Sequence, residues 1–213
     1  MQWYDHHLLE GKHAFLGGSQ YHWLNWPDED LEGKYYSHFS TDMGTALHSL
    51  ASDCIRSRTK LSKSDRHLLD LTLYKAGIPT SALNTEEILI NLMQFVNDAI
   101  GFHLSSEVIL YYSPECFGTA DAIGFDERNN ILRIHDYKSG LTPAHMEQLM
   151  IYAALFCLEY HKKPGDMKLI SLKLYQNCQI REYVPQPGEI ETIMDMIIDK
   201  CNKIEIFKER DRR

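Results

Sequence analysis

The sequence predicts an α/β fold, a central mixed β-sheet flanked by helices. Three observations predict it. Runs such as Ser106–Tyr112, Lys168–Tyr175 and Gln179–Val184 are apolar or alternating over strand lengths. Apolar stripes at helical spacing lie before, between and after them. Between these runs, residues 117–138 read as two strands joined by a turn at Asp126–Asn130. In the second of those strands Leu132, Ile134, Asp136 and Lys138 share one face, because alternate residues of a strand point the same way. A core-facing row thus ends in a carboxylate and an ammonium. The turn returns that strand beside the one carrying Asp121, so two carboxylates and a lysine converge.

The elements follow in order. Residues 1–43 are rich in aromatics and histidine, including Trp3, His6, His7, His13, Trp23 and Trp26. A short helix is expected after Gly17-Gly18, with Ser19 as its N-cap. The adjacent histidines could bind metal, but they lack carboxylate or cysteine partners at ligand spacing, which argues against a metal site there. The aromatics suit stacking on bases or packing on a core. Residues 44–58 read as a helix with a stripe of Leu47, Leu50, Ala51, Cys54 and Ile55, and His48 at its flank. Two helices are expected in 62–101, the second capped by Asn84 with Glu87 three residues on. They wall a channel or simply pack. Glu107 begins the first core strand. A helix nearly apolar all round starts at Pro143 and runs over 144–160, with the polar pair Gln148 and Tyr152 on one face. Such a pair on a buried helix needs partners, either a ligand or the fold itself. Residues 188–208 form a final amphipathic helix around Ile190, Ile193, Ile197 and Cys201.

The chain has 213 residues, 44% hydrophobic and 24% charged, enough for one globular domain. Its expected parts are an N-terminal segment (1–43), a helical insertion (59–104), the core sheet and helix (105–185) and the C-terminal helix (188–208). No apolar run reaches bilayer length, so no membrane partner is expected. The N-terminus lacks the layout of a signal peptide. Cys54, Cys116, Cys157, Cys178 and Cys201 are scattered and odd in number, as expected of reduced thiols in a cytoplasmic protein. A net charge of −8 argues against gripping nucleic acid by charge alone. Basic residues gather at Arg56–Lys60 with Lys63 and Arg66, and in the tail from Lys208 to Arg213, as local patches or as plain solvated surface.

Two carboxylates are a hard oxygen site suited to Mg²⁺ or Mn²⁺. Such an ion acidifies water and offsets charge on a phosphate, while a neighbouring lysine can orient the attacking water. Asp121 followed by Asp136-Tyr137-Lys138 resembles the motif of the PD-(D/E)XK nuclease superfamily. More narrowly, the chain is similar to RecB-type exonuclease domains. Gly118-Thr119-Ala120-Asp121-Ala122-Ile123 matches their first-acid segment, Gln148-x-x-x-Tyr152 their helix motif, and Gly44-Thr45-Ala46-Leu47-His48 an upstream motif. These motifs, in order, span about half the chain.

The resemblance implies a restriction-endonuclease-like core and metal-dependent cleavage of DNA phosphodiesters. It implies that Asp121, Asp136 and the backbone carbonyl of Tyr137 bind metal, that His48 binds a second ion and that Glu107 assists. Lys138 positions the water, and Gln148 and Tyr152 orient DNA or Lys138. The expected partner is DNA, single-stranded or with free ends, with a helicase or recombination partner in a separate chain. The cysteine spacing does not reproduce the iron–sulfur layout of some relatives, so no cluster is expected. An exonuclease in DNA repair, recombination or phage and mobile-element DNA processing is the leading expectation. The alternatives are a nicking or structure-specific endonuclease of the same fold, and a binding module that does not cut.

Overall fold

A computed structural model describes residues 4–9, 14–18, 21–81, 83–140 and 144–211. Trp3, His13, the Ser19 cap, Pro143 and the last two arginines lie outside the described residues. The chain divides into two compact units, Met1–Thr41 and Asp42–Arg213.

The first unit contains 3₁₀ turns at His7–Leu9 and Tyr21–Asn25 and helix α1 (Asp28–His38). Its aromatics pack among themselves: Phe15 meets Trp26, Tyr35 and His38, with ring centres 5.5–5.6 Å apart. Lys34 sits over the Trp26 ring, and the Trp23 indole donates to Gly17 O. His7 leans on Asp5 at 3.3 Å. Helix α1 was not expected from periodicity, because it buries no residue and has no apolar stripe. Its start is nonetheless written in Pro27 followed by Asp28, Glu29 and Asp30, acids that favour a helix N-terminus.

In the second unit, helices α2 (Ser40–Ser57), α3 (Arg66–Lys75) and α4 (Thr85–Gly101) precede the sheet. Asn84 caps α4, accepting from the Glu87 amide as its position in the sequence predicts. Strands β1 (Ser105–Ser113), β2 (Cys116–Asp126) and β3 (Ile131–Lys138) form an antiparallel meander. The β2–β3 turn is held by Asp126, whose carboxylate accepts from the amides of Arg128 and Asn129, while Asn130 takes φ +56°. Asparagine tolerates that left-handed conformation. Helix α5 (Glu147–Glu159) then crosses to β4 (Leu169–Gln176), which runs parallel to β3, and β5 (Gln179–Tyr183) closes the far edge antiparallel to β4. The strand order is β1-β2-β3-β4-β5, a mixed sheet flanked by helices as expected. Helix α6 (Pro187–Asp211) ends the described chain.

One sheet face buries Leu132, Ile134, Leu172 and Leu174 against Leu149, Ala153, Phe156 of α5 and Ile190 and Ile197 of α6. The other meets α4, where Phe95 packs on Tyr137 and Tyr175. The Asn91 amide donates to the carbonyls of Lys138 and Tyr175, tying α4 to the ends of the two central strands. The insertion is therefore one of the layers that close the core. Helix α5 begins at Glu147 rather than beside Pro143, since Gln176 at the end of β4 holds the approach to it. Its Oε1 accepts from the Ala144 amide and its Nε2 donates to Gly140 O. Among the described residues no helix is long and apolar enough to cross a membrane. All five cysteines are unpaired.

Candidate functional site

Register brings the acids together. The β2–β3 ladder runs from Asp126↔Ile131 to Ala122↔His135, so Asp121 and Asp136 occupy its next step. There the Asp121 carboxylate takes the place of a ladder carbonyl: its Oδ2 accepts from the Tyr137 amide at 2.9 Å. On the other side the pairs Ser106↔Ala122 and Val108↔Ala120 bracket Glu107 and Asp121, setting these two acids opposite each other. Glu107 adopts φ +53° inside β1, a conformation that a non-glycine residue holds only where its surroundings impose it.

Helix α2 supplies His48, whose Nδ1 lies 3.4 Å from Asp121 Oδ2. The imidazole also meets the Tyr137 ring edge-on at 5.6 Å. Ligand atoms of His48, Glu107 and Asp121 all lie within 4.8 Å of one another. Two ligands of one cation are at most twice the metal–ligand distance apart, about 4–5 Å. The three groups are therefore close enough together to share a single divalent ion. Burial pulls the His48 pKa down, but the hydrogen bond and charge of Asp121, with Asp136 and Glu107 behind it, outweigh burial and hold it above its ordinary value. Burial and the charge of Asp121 raise Glu107, against the opposing pull of His48 and Arg56.

Asp136 stands apart from that trio. Its side chain is 1% exposed and pairs with Lys138, whose Nζ lies 3.0 Å from Oδ2 and donates to Oδ1 at 3.2 Å. The shared strand face predicted for these residues accounts for this pair. Oδ2, close as it is to the ammonium, accepts no hydrogen bond from a described residue, leaving a buried carboxylate oxygen with acceptor capacity. Burial, then the charge of Asp121, raise the Asp136 pKa to about 7, with Lys138 opposing. At Tyr137 the group engaged in the site is the amide, donating to Asp121; the aromatic ring itself is fully buried.

Gln148 and Tyr152 do share a face of α5, and they bond to each other, Nε2 donating to Oη at 2.9 Å. Tyr152 lies in the field of Asp136, Asp121 and Lys138. The motif glycine Gly118 is required by this tyrosine: a Cβ there would come within 2.8 Å of Tyr152 Cε1. Gly44, opening the α2 motif, faces the Ser139 hydroxyl just beyond Lys138.

An open pocket of about 460 Å³ lies over the trio, walled by α2 and the β1–β2 hairpin. His48, Glu107 and Asp121 line it with Ser49, Ser52, Asp53, Arg56 and Thr119. Sequence reasoning placed Arg56 in a surface patch and did not single out Ser49 or Thr119. The signal was present, since Ser49, Ser52 and Arg56 follow His48 along one side of the same helix. Of the other patch residues, Arg66 pairs with Asp70, and in the tail Lys208 pairs with Glu115 and Glu205. No family model matches the chain, and no curated protein matches it.

Proposed function

We propose that this protein is a divalent-metal-dependent deoxyribonuclease that hydrolyses DNA phosphodiesters, acting from free or single-stranded ends. The observation that carries the reading is the meeting of His48, Glu107 and Asp121 beneath an open pocket, with the Asp136–Lys138 pair beside them. The ordered motifs at Gly44–His48, Gly118–Asp121, Asp136–Lys138 and Gln148–Tyr152 support it. His48, Glu107 and Asp121 would hold Mg²⁺ or Mn²⁺, and the resemblance would add Asp136 and the Tyr137 carbonyl to them. The ion would supply positive charge for the phosphate and acidify water.

The protein's own groups do the rest. Lys138, its ammonium fixed by Asp136, orients the attacking water and offsets charge that grows in the transition state. Asp121 holds both His48 and the Tyr137 amide, so one side chain couples α2 to the end of the β3 ladder. Tyr152, braced by Gln148, presents its hydroxyl to the same region and suits orientation of the DNA backbone.

The test is incubation of the purified protein with end-labelled linear and covalently closed circular DNA, with Mg²⁺, with Mn²⁺ and with chelator. Metal-dependent loss of linear DNA with circles spared is the expected result. Cut circles would make it an endonuclease of the same chemistry. Absence of cutting would overturn the proposal, and absence of Mn²⁺ binding by calorimetry along with it would mark a non-cleaving module, the reading that the net charge of −8 keeps open.

A further inference from the structure

The pocket extends beyond the metal-ligating trio along α2, and its far wall carries a guanidinium. Arg56 lies eight residues after His48, about 12 Å along the helix axis at 1.5 Å per residue. It shares the pocket wall with Asp53 and Glu107, yet makes no hydrogen bond or ion pair with any described residue. Its influence reaches Glu107 all the same, since its charge is one of those that pull the Glu107 pKa down. Between His48 and Arg56 stands Ser49, exposed, on the pocket wall and without a hydrogen-bond partner among the described residues. Ser52, also on the wall, is by contrast buried and tied to Ser106 at 3.0 Å.

A cation with no hydrogen bond or ion pair to any described residue keeps its planar donor fork for an outside ligand. A guanidinium fork matches the oxygens of a phosphate two at a time. Carboxylates on the same wall would repel a phosphate, and among the pocket-lining residues Arg56 carries the permanent positive charge that can seat one away from the ion. Arg56 stands two helical turns beyond His48, so the phosphate it suits is one that flanks the phosphate at the trio.

We propose that Arg56 is a phosphate-anchoring residue that grips the DNA backbone at a diester flanking the scissile one, with the Ser49 hydroxyl along the path between. The proposal rests on the nuclease reading for its substrate, but its test does not depend on cutting.

The experiment is fluorescence anisotropy of a labelled single-stranded oligonucleotide, in Ca²⁺, from 50 to 200 mM salt. Wild type is compared with Arg56→Ala and Arg56→Lys. Arg56→Ala is expected to weaken binding about tenfold, the scale of one lost charge-assisted contact. The slope of log affinity against log salt should become shallower by about 0.7, one phosphate's worth on a single strand. Arg56→Lys should restore the slope but only part of the affinity, because an ammonium lacks the fork. On a fully methylphosphonate strand, whose backbone is uncharged, Arg56→Ala and wild type should bind alike. A wild-type salt slope in Arg56→Ala, or a lowered melting temperature as its only effect, would overturn the proposal and mark a residue that merely complements the α2 C-terminus. Mn²⁺ titration of the same proteins separates the two readings. If wild type binds Mn²⁺ and Arg56→Ala keeps the wild-type slope, the anchor fails and the metal site stands. If wild type binds no Mn²⁺ while Arg56→Ala loses one phosphate contact, the anchor stands and the nuclease reading fails.

Discussion

Asp121 does two jobs that substitution can separate. Its charge serves the trio with His48 and Glu107, and its Oδ2 takes the Tyr137 amide where the β2–β3 ladder runs out. Asparagine keeps an acceptor of the same size and loses the charge. Asp121→Asn should therefore abolish Mn²⁺ binding and cutting while leaving the unfolding free energy near wild type. Asp121→Ala should abolish both and also lose about 1–3 kcal/mol of stability, the cost of an unpaired buried amide. Urea unfolding beside Mn²⁺ calorimetry reads both effects, and a fully active Asn variant would remove Asp121 from the site. Lys138 divides chemistry from binding. Its ammonium is held by Asp136 rather than reaching out as a phosphate anchor would. Lys138→Ala should slow single-turnover cleavage in Mn²⁺ at least about a hundredfold, the scale of a positioned acid–base group, with DNA affinity in Ca²⁺ unchanged. The reverse pattern, weak binding with normal turnover, would make Lys138 the anchor instead.

Strand β2 and helix α5 meet at Gly118 and Tyr152, and there the packing is too close for any side chain on the strand. Gly118→Ala should cost about 1–3 kcal/mol through overpacking. In a Tyr152→Ala background the same change should cost little, since the ring it strikes is gone. Equal costs in the two backgrounds, read by urea unfolding, would show that the glycine serves something other than this contact. Local chemistry made much of this scale legible in the sequence. Asn84 and its Glu87 amide mark the start of α4, and the Asn129–Asn130 turn returns β3 beside β2 because asparagine accepts φ +56°. The Asp136–Lys138 pair follows from strand period alone. What depended on distant partners was not legible. The start of α5 is set by Gln176, some thirty residues later in the chain, and the parallel pairing of β3 with β4 leaves no local mark. Glu107 reaches Asp121 through a ladder register and a left-handed backbone that its strand sequence does not announce. Arg56 looked like surface charge because the wall facing it comes from the β1–β2 hairpin, more than fifty residues away.

Across the whole molecule, β3 carries two buried titratable neighbours that point to opposite layers and respond oppositely to acid. Asp136 faces Lys138 and the site, whereas His135 lies toward Tyr175 and Phe102. The Tyr175 hydroxyl donates to Asp98 at 2.6 Å, so at 3.2 Å from His135 Nδ1 it is left to accept, which sets the proton on Nδ1. That leaves Nε2 as a buried lone pair without a partner among the described residues, and protonating it would add an unsatisfied charge near Lys173 and Arg133. Burial, with those two cations, accordingly lowers the His135 pKa from 6.5 to about 3. Between those values the unfolded chain takes up a proton that the folded one refuses, so His135 makes stability rise with pH by about 1.4 kcal/mol per unit. Asp136 does the opposite. Its pKa is raised from 3.8 to about 7, so in that window the folded state holds a proton that the unfolded chain has released, and stability falls as pH rises. From about pH 4 to 6.5 the two slopes therefore have opposite signs in the metal-free protein. With chelator present, Asp136→Asn should make the slope of unfolding free energy against pH more positive than wild type by about 1.4 kcal/mol per unit. His135→Asn should make it more negative by a similar amount, whatever constant loss of stability either change brings. The double variant should return to the wild-type slope, because each change removes one of two opposed terms. Urea unfolding at pH 4.5, 5.5 and 6.5 measures all four proteins. Single variants that both keep the wild-type slope would mean that neither group is held in the protonation state its burial dictates.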